Sequence, residues 1–424
     1  MSAPSDIRGF DAAAFGPFAA ADPAGARAAA FARYAALPLP APDDEDWRHT
    51  PLARFPFGRL APWAPLGPPS PAAATGDDWA VEFDLVITVS GAGARVEDRS
   101  GLLAARRLGF QALETCPEER SKPWNLPGPP GAAEKIEALN AAFFTCGWRL
   151  DIPAAAELAR GALVRYVHDR SGIFLPRLAV RVGPRARFAL VEWYENAAGA
   201  EGFLVGATQW TLAEGARAEY ARVTLGGVEG AAWTDDRARL ARDAALRWTT
   251  AQIGGRLNRA RAGAALEGPG AEFVQRGLCR IGGTSRHERR TIQLHAASDT
   301  NSNLLHKAVV ADEAQSVYRG VIAARPGAVR IDAYQKNNNL VLDPGARATS
   351  MPGLLIDADD LKCTHGATIG SLDPEQVFYL RARGLDEAAA RRLLLEGFYE
   401  DILAAFPHES LRARLRRALA DGAA

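Results

Sequence analysis

The chain has 424 residues, of which 50 are basic and 50 are acidic, so its formal net charge is zero. A protein with balanced charges lacks the positive electrostatic field that attracts nucleic acids or anionic membrane surfaces, and we expect neither as a partner. Four scattered cysteines without a C-x-x-C pair do not form a disulfide framework. No apolar run approaches the roughly 20 residues of a membrane span, and the first residues have no signal-like apolar core. We therefore expect a cytoplasmic protein.

Residues 1–148 mix alanine-rich stretches with proline-rich connections and predict a mixed, largely helical N-terminal domain. The run from Ala20 to Leu37 predicts a helix, and the segment VEFDLVITV predicts a strand. A loop rich in proline and glycine covers residues 121–132. A helix-like segment follows it and runs into LNAAFFTCGW.

Residues 149–370 consist of short apolar segments separated by glycine, aspartate and asparagine, which indicates an all-β region. One pattern recurs imperfectly as WTLAEGARAEYARV, VIAARPGAVRIDAY and LVLDPGARATS. Self-similarity of this kind favours a solenoid of stacked coils, with a large β-sandwich as the alternative. Within this region we expect Asn337–Asn339 to form a stacked polar turn.

Residues 371–424 predict a C-terminal helical domain. Asp373 and Asp386 suit two helix N-caps, and Gly384 suits a helix C-terminus. Apolar residues recur at helical spacing in two further segments, Ala389, Leu393, Leu394 and Phe398 in the first and Leu411, Leu415 and Leu419 in the second. The solenoid is already closed by its last strands before these helices begin. We therefore expect the apolar faces of the helices to be available to a partner.

Strong enzyme signatures are missing from the sequence. It contains no G-x-x-x-x-G-K-[ST], so we expect no ATP hydrolysis by a phosphate-binding-loop mechanism. It also lacks G-x-S-x-G and H-E-x-x-H, the motifs of a serine hydrolase and a zinc protease.

The densest group of reactive side chains is Asp359-Asp360-Leu361-Lys362-Cys363-Thr364-His365. If this segment is a strand, Cys363 and His365 point to the same face, and a thiolate beside an imidazole suits iron or zinc. Two ligands do not complete a metal site, so the others would come from another coil or another chain. The alternative is that Cys363 is a small buried apolar residue and His365 a hydrogen-bonded ladder residue.

The remaining histidines and cysteines are weaker candidates. His295 and His306 lie in a predicted strand–turn–strand. Either could line the same face as His365 in a neighbouring coil. We favour the other interpretation, in which both are polar side chains with satisfied hydrogen bonds. The structural cysteines, in this interpretation, are Cys116, Cys146 and Cys279.

Several stretches, in chain order, resemble the SufB/SufD family of iron–sulfur cluster assembly proteins. Residues 45–50, EDWRHT, are similar to the family's E-x-W-[RK]-[YH]-T element, and residues 139–144, LNAAFF, to its L-N-x-A-F segment. The strongest match is residues 357–384, DADDLKCTHGATIGSLDPEQVFYLRARG. Leu361 and Thr364 replace the family's valine and serine there. The Cys-x-His-Gly form of residues 363–366 is similar to SufD more than to SufB.

This resemblance implies a right-handed parallel β-helix flanked by helical domains. It implies a non-catalytic scaffold that pairs with a SufB-like subunit and binds the ATPase SufC, and it leaves open a homodimer when the chain is alone. It also implies that no cofactor is tightly bound and that a transient iron–sulfur cluster forms at the interface with SufB. His365, and less securely Cys363, would act there as metal ligands, and the ATPase would dock on residues of the C-terminal helices, namely Phe378, Tyr379, Arg383 and Phe398.

Two other functions remain open from the residues themselves. One is a β-helix enzyme acting on carbohydrate, in which Asp359, Asp360 and His365 are acid–base groups; such enzymes are mostly secreted, which disfavours it. The other is a structural adaptor in which His365 serves packing alone.

Overall fold

The computed structural model describes residues 7–22, 25–40, 44, 46–72, 78–113, 132–197, 199–227 and 229–421. Its centre is a solenoid of β-strands, with helices before and after it. The strands are β1 (Ser70–Pro71), β2 (Leu85–Ser90), β3 (Gly93–Asp98), β4 (Gly109–Ala112), β5 (Cys146–Ile152), β6 (Glu157–His168), β7 (Gly172–Phe174), β8 (Pro176–Val182), β9 (Arg187–Asn196), β10 (Gly202–Leu212), β11 (Arg217–Gly226), β12 (Ala231–Leu240), β13 (Ala245–Gly254), β14 (Leu257–Leu266), β15 (Glu272–Ile281), β16 (Arg286–His295), β17 (Asn301–Val310), β18 (Gln315–Ala324), β19 (Ile331–Val341), β20 (Arg347–Ile356) and β21 (Leu361–Gly370). The helices are α1 (Ala12–Ala20), α2 (Ala26–Ala36), α3 (Ala132–Phe143), α4 (Pro374–Ala382), α5 (Glu387–Leu403) and α6 (Glu409–Asp421).

Two sheets face each other across the solenoid, and from β8 onward successive strands alternate between them. One sheet runs β1-β3-β2-β6-β9-β11-β13-β15-β17-β19-β21, and the other runs β20-β18-β16-β14-β12-β10-β8-β5-β4. Arg187 pairs in parallel with Arg217, which pairs with Ala245, so one coil takes about 30 residues. The predicted parallel β-helix is confirmed, and the β-sandwich alternative is wrong.

A column of tight turns explains the recurring sequence pattern. Once per coil, one residue adopts a left-handed backbone, and its N–H donates to a carbonyl of the next coil, as Arg185 does to Glu214 at 2.9 Å. Glycine suits this conformation because it has no Cβ, and Gly215 and Gly270 hold two of the positions. The residue after each turn points into the corner and is fully buried in four successive coils, at Ala186, Ala216, Ala244 and Ala271. Close stacking of the coils therefore requires the small residue that the sequence repeats.

The three consecutive asparagines do not form the predicted polar turn. They lie in the middle of β19, where Asn337 and Asn339 are buried and face the interior. Asn339 donates to the side-chain oxygen of Asn337 at 2.7 Å and to the backbone oxygen of Thr368 at 3.1 Å. Since these amides find partners within the stack, a polar run in this chain occupies a strand without exposing it to water.

The N-terminal helices pack against the outer face of the ten-stranded sheet. Phe143 of α3 is at the centre of an aromatic cluster with Phe10, Phe15 and Tyr34, and the same core continues into Trp233 of β12. The helix predicted from Ala20 to Leu37 is confirmed for most of its length as α2, but its start is wrong, because α2 begins only after the left-handed residue Gly25. Both sheets also begin before residue 149, since β2 extends one and β4 the other.

The C-terminal helices pack on the outer face of the eleven-stranded sheet. Asp373 and Asp386 are the predicted N-caps, each accepting a backbone N–H of its own helix. We had expected the apolar faces of α5 and α6 to be available to a partner. They are instead packed on the chain's own strands, from β2 to β17. In α5 the buried face is rotated from the predicted one and consists of Ala390, Leu395, Tyr399, Ile402 and Leu403. The predicted leucines of α6 are buried, namely Leu411, Leu415 and Leu419.

Among the described residues, no helix is long and apolar enough to cross a membrane.

Candidate functional site at the open end of the solenoid

The last coil of the solenoid, formed by β20 and β21, has no coil stacked on it among the described residues. β21 pairs with β19 along one edge, and β20 pairs with β18. The other edges face solvent, so backbone N–H and C=O groups of two strands are available for pairing. Such an edge is the kind of surface to which another strand adds.

His365 and Cys363 lie on β21 and share its inward face, as predicted. Cys363 pairs with Ala333 and His365 with Gln335, and both of these β19 residues are buried between the sheets. His365 is nevertheless exposed, because no further coil covers it, and Cys363 is half-buried. The imidazole therefore ends an interior column at a position that a partner chain can reach.

The thiol beside His365 is held in its neutral form. Partial burial and the carboxylate of Asp332 raise the pKa of Cys363 above its usual range. Among the described residues, no group of three or more histidine, cysteine, aspartate or glutamate side chains is arranged to hold a metal ion. Cys363 and His365 thus offer at most two ligands, and a metal bound here needs the rest from outside this chain.

Apolar side chains border the open edge. Leu354 and Leu355 of β20 and Ile369 of β21 are exposed by 40%, 48% and 54%. Because β21 alternates, Ile369 lies on the same inward-facing side as His365, at the open end of the interior. Large apolar groups on an unpaired strand edge mark a surface that another protein covers.

Helix α4 forms a second exposed surface next to this edge. All nine of its residues are described, and none is buried. Phe378 is 72% exposed and Tyr379 58% exposed, and the guanidinium of Arg383 lies 5.2 Å from the Tyr379 ring. A helix with no buried face of its own gains its stability from caps and from contacts with something else.

Phe398, which the family resemblance groups with those residues, lies in a different environment. It is half-buried against the chain's own core, and the ammonium of Lys307 lies 4.9 Å from its ring. The same ammonium donates to the Phe398 carbonyl at 2.7 Å and to Asp401 at 2.8 Å. Phe398 thus helps to attach α5 to β17, whereas Phe378 and Tyr379 project outward.

The other candidate side chains are separated from the open end. His295 is buried between Thr300 and Ser302, with nitrogen–oxygen distances of 2.7 and 2.8 Å. His306 is buried two coils below β21 and stacks on Tyr318 at 5.3 Å. Burial lowers the pKa of both histidines, so each is neutral and satisfied. Cys146 and Cys279 are buried, and Cys116 lies outside the described residues.

Two family-like motifs hold the N-terminal segment in place rather than forming a site. Trp47 stacks on Trp233 at 5.0 Å, and the guanidinium of Arg259 lies 4.3 Å from the Trp47 ring. Asn140 at the end of α3 donates to the Val205 carbonyl at 2.7 Å and accepts from Arg177 at 3.0 Å. These contacts give the tryptophan and the asparagine structural roles. Glu45, the first residue of its motif, lies outside the described residues.

Sequence reasoning missed a polar group inside the solenoid. The sulfur of Cys279 lies 3.6 Å from Nδ1 of His287, and Arg289 lies close to them at the same cavity. These residues are eight and ten positions apart on two strands of different sheets, so no local motif joins them. The alternation of side chains along β15 and β16 could have shown that all three side chains point inward. That they lie close together depends on how the coils stack.

The molecule is thus a parallel β-solenoid protein with one open end bordered by a histidine, a cysteine and exposed apolar groups. A family model described as "SUF system FeS cluster assembly, SufBD core domain" matches residues 166–398. This match covers more than half of the chain and the greater part of the solenoid. The chain therefore belongs to the SufB/SufD family.

Individual relatives agree with the family model. An iron-sulfur cluster assembly SufBD family protein of Mycobacterium leprae is 35% identical over 202 residues, which are 44% of this chain and 52% of that protein. The iron-sulfur cluster assembly protein SufD of Escherichia coli is 37% identical over 140 residues, 32% of this chain and 33% of that protein. A SufBD family protein of Synechocystis is 46% identical over 116 residues, 27% of this chain and 26% of that protein. The chain spans about half the length of the mycobacterial relatives that it matches.

Proposed function

We propose that this chain is a non-catalytic, SufD-like scaffold subunit of an iron–sulfur cluster assembly complex. It pairs with a SufB-like subunit through the open end of the solenoid and binds a SufC-like ATPase through its C-terminal helices. The observation that carries the proposal is the uncovered last coil, in which His365 ends an interior column beside unpaired strand edges. Membership of the family, and relatives named for cluster assembly, support the same role.

The chemistry of the open end suits a shared cluster site. His365 supplies a nitrogen and Cys363 a sulfur after proton loss, and both are acceptable donors to iron. Iron carried by the partner would favour that proton loss, which burial opposes in the isolated chain. The iron–sulfur cluster is cargo in this scheme, held transiently between the two subunits.

The second surface suits the ATPase. Phe378 and Tyr379 present two exposed aromatic rings on α4, and Arg383 extends that surface. Aromatic and arginine side chains are the groups that dominate protein interfaces. The chain itself has no phosphate-binding loop, so ATP hydrolysis belongs to the partner.

Co-expression of the tagged chain with a SufB-like subunit and a SufC-like ATPase tests the proposal. We expect one complex that contains all three, ATPase activity that follows the ATPase subunit, and iron and sulfide bound after anaerobic reconstitution. Robust ATP hydrolysis by the isolated homogeneous chain, or recovery of the chain without either partner, would contradict it. Incubating the chain with sugar polymers checks the carbohydrate-active alternative in the same preparation.

A further inference from the structure

A small cavity lies inside the solenoid, away from the open end and from the aromatic helix. It has a volume of about 30 Å³ and is lined by β11, β13, β15 and β17 of one sheet and by β12, β14, β16 and β18 of the other. Its wall is polar, and the groups that matter most are Arg289, Thr250, His306, Asn258, Cys279 and His287. A space of this size holds one or two water molecules or a single small ion.

Two arginines line this cavity, and within the part of the chain that the structure describes Arg289 is the one without an ion pair, because Arg222 is bonded to Asp236. It occupies an inward position of β16, where it is half-buried and lines the cavity. Among the described residues it donates one hydrogen bond, to the hydroxyl of Thr250, and no carboxylate lies within ion-pair distance. A partly buried cation with so few acceptors is costly unless an anion or ordered water completes its shell.

The nearby acids do not supply that anion. Asp236 accepts from Arg222, and Glu192 accepts hydrogen bonds from Tyr194 at 3.0 Å, from Thr208 at 2.7 Å and from a further tyrosine. The carboxylate of Glu288 is turned outward, to two arginines on the opposite side of the strand, at 2.8 and 2.6 Å. Asp236 keeps its second oxygen, Oδ2, without a hydrogen-bond partner among the described residues, but none of these three carboxylates forms an ion pair with Arg289.

The histidines and the cysteine of the wall are neutral, and their hydrogen bonds fix where their protons lie. His287 donates from Nε2 to the Gly255 carbonyl at 2.9 Å, so its Nδ1 accepts from the Cys279 thiol at 3.6 Å. Burial raises the pKa of that thiol to about 12, which keeps its proton in place. The Asn337 amide lies 3.4 Å from Nδ1 of His306, so the neutral ring of His306 carries its proton on Nε2. The wall thus presents donors and little negative charge.

We propose that this cavity binds one small monovalent anion of halide size, with the Arg289 guanidinium as its main ligand. The proposal is independent of the scaffold function, because none of its residues belongs to the open end or to α4. The cavity adjoins a second one through Thr224 and Gln252, and Gly226 and Gly255 line both that second cavity and the groove beneath α5.

Bromide is the probe, because it scatters X-rays anomalously and has the required size. Crystals of the full chain grown with sodium bromide should show an anomalous peak beside the Arg289 guanidinium. In solution, replacing sodium gluconate by sodium bromide at equal ionic strength should raise the Tm by about 2 °C, since gluconate is too large for the cavity.

Variants of two arginines on β16 separate the site from general salt effects. Arg289→Gln should lose both the peak and the Tm difference, and Arg289→Lys, which keeps the charge, should retain part of each if Arg289→Gln does not fold. Arg286→Gln is the matched control, because Arg286 lies at the start of the strand and bonds Gln315, and it should behave as the parent chain. Water density without an anomalous peak, equal Tm values in the two salts, or a peak that persists in folded Arg289→Gln would each overturn the proposal.

Discussion

His365 ends an interior column that no described strand covers. Because of this position, a substitution of His365 can test its function without disturbing the fold. Replacing it by alanine removes an exposed imidazole, so the free energy of unfolding should change by less than about 0.5 kcal/mol. If the imidazole binds iron, cluster formation in cells should fall sharply while the complex still assembles. Iron and sulfide content and complex yield, measured side by side, check this outcome.

Two further substitutions sharpen that test. His365→Cys should retain part of the activity, because a thiolate also binds iron. Thr364→Ala is the matched control, since Thr364 is an exposed neighbour on the opposite face of β21. Loss of association before loss of activity in His365→Ala would instead favour the packing role.

At the scale of residues, prediction from sequence was strongest where it depends on the geometry of a single strand. Cys363 and His365 share a face because alternation is a property of any strand, whatever surrounds it. The pair formed by Cys279 and His287, and the charge of Arg289 beside it, escaped because they depend on register between coils of unequal length. Asn337–Asn339 were misplaced for a related reason: polar side chains suggest a turn unless neighbouring coils are known to satisfy them.

Helix α4 should be an interaction surface rather than a part of the core. Because none of its described residues is buried, the pair of changes Phe378→Ala and Tyr379→Ala should leave the Tm within about 2 °C of the parent. Binding of a SufC-like ATPase should weaken at least tenfold, since exposed aromatics dominate interfaces. Titration calorimetry with the purified ATPase subunit measures the second effect.

Two controls accompany the aromatic pair. Val81→Ser alters an exposed apolar residue away from α4 and should leave ATPase binding unchanged. Phe398→Ala removes a half-buried ring packed near Lys307 and should lower stability instead. Unchanged ATPase binding by the double variant would move the docking surface elsewhere.

The strand edges of the last coil form the second element-scale surface. Leu355→Lys and Ile369→Lys place charges on exposed positions of β20 and β21, so the isolated chain should remain folded. Charged edges resist strand addition, and pairing with a SufB-like subunit should fail or weaken strongly. Size-exclusion chromatography of the co-expressed pair shows the result. Normal pairing by both variants would contradict an interface at the open end.

At the scale of elements, sequence located strands better than helical faces. The C-terminal caps and the α6 leucines were correct because each depends on a few adjacent residues. The α5 face was predicted around Leu393, whereas Leu395 and Tyr399 are the buried residues. Leucines and aromatics occur all round that helix, and the sheet beneath it, which the sequence alone does not place, selects among them.

Four buried histidines should make the whole molecule sensitive to acid. Burial lowers the pKa of His168, His287 and His295 to about 4, and it also holds the pKa of His306 well below its usual value. In the unfolded chain these groups titrate near 6.5, so between these values the unfolded state binds more protons and the free energy of unfolding falls as pH falls. Each of the three histidines with a pKa of about 4 lowers the free energy of unfolding by up to about 3 kcal/mol once the pH has fallen to that value.

One carboxyl group opposes this trend. Burial raises the pKa of Asp236 to about 7, so its contribution increases as pH falls from about 7 to about 4. One group does not offset four, and we expect the midpoint of guanidinium unfolding to drop clearly between pH 7 and pH 5. A midpoint that stays constant over this range would show that the histidines are not buried as neutral groups.

The helices laid along the eleven-stranded sheet also bear on how the chain unfolds. A stack in which each coil contacts its neighbours behaves as a nearly one-dimensional array, and such arrays lose structure from their ends. Helices α5 and α6 bridge strands from β2 to β17 and so couple many coils into one cooperative unit, whereas β20 and β21 lie beyond that bridge. Amide hydrogen exchange should therefore be slow in the middle coils and fast in β21. A bound partner would end that fraying and extend the cooperative unit to the last coil.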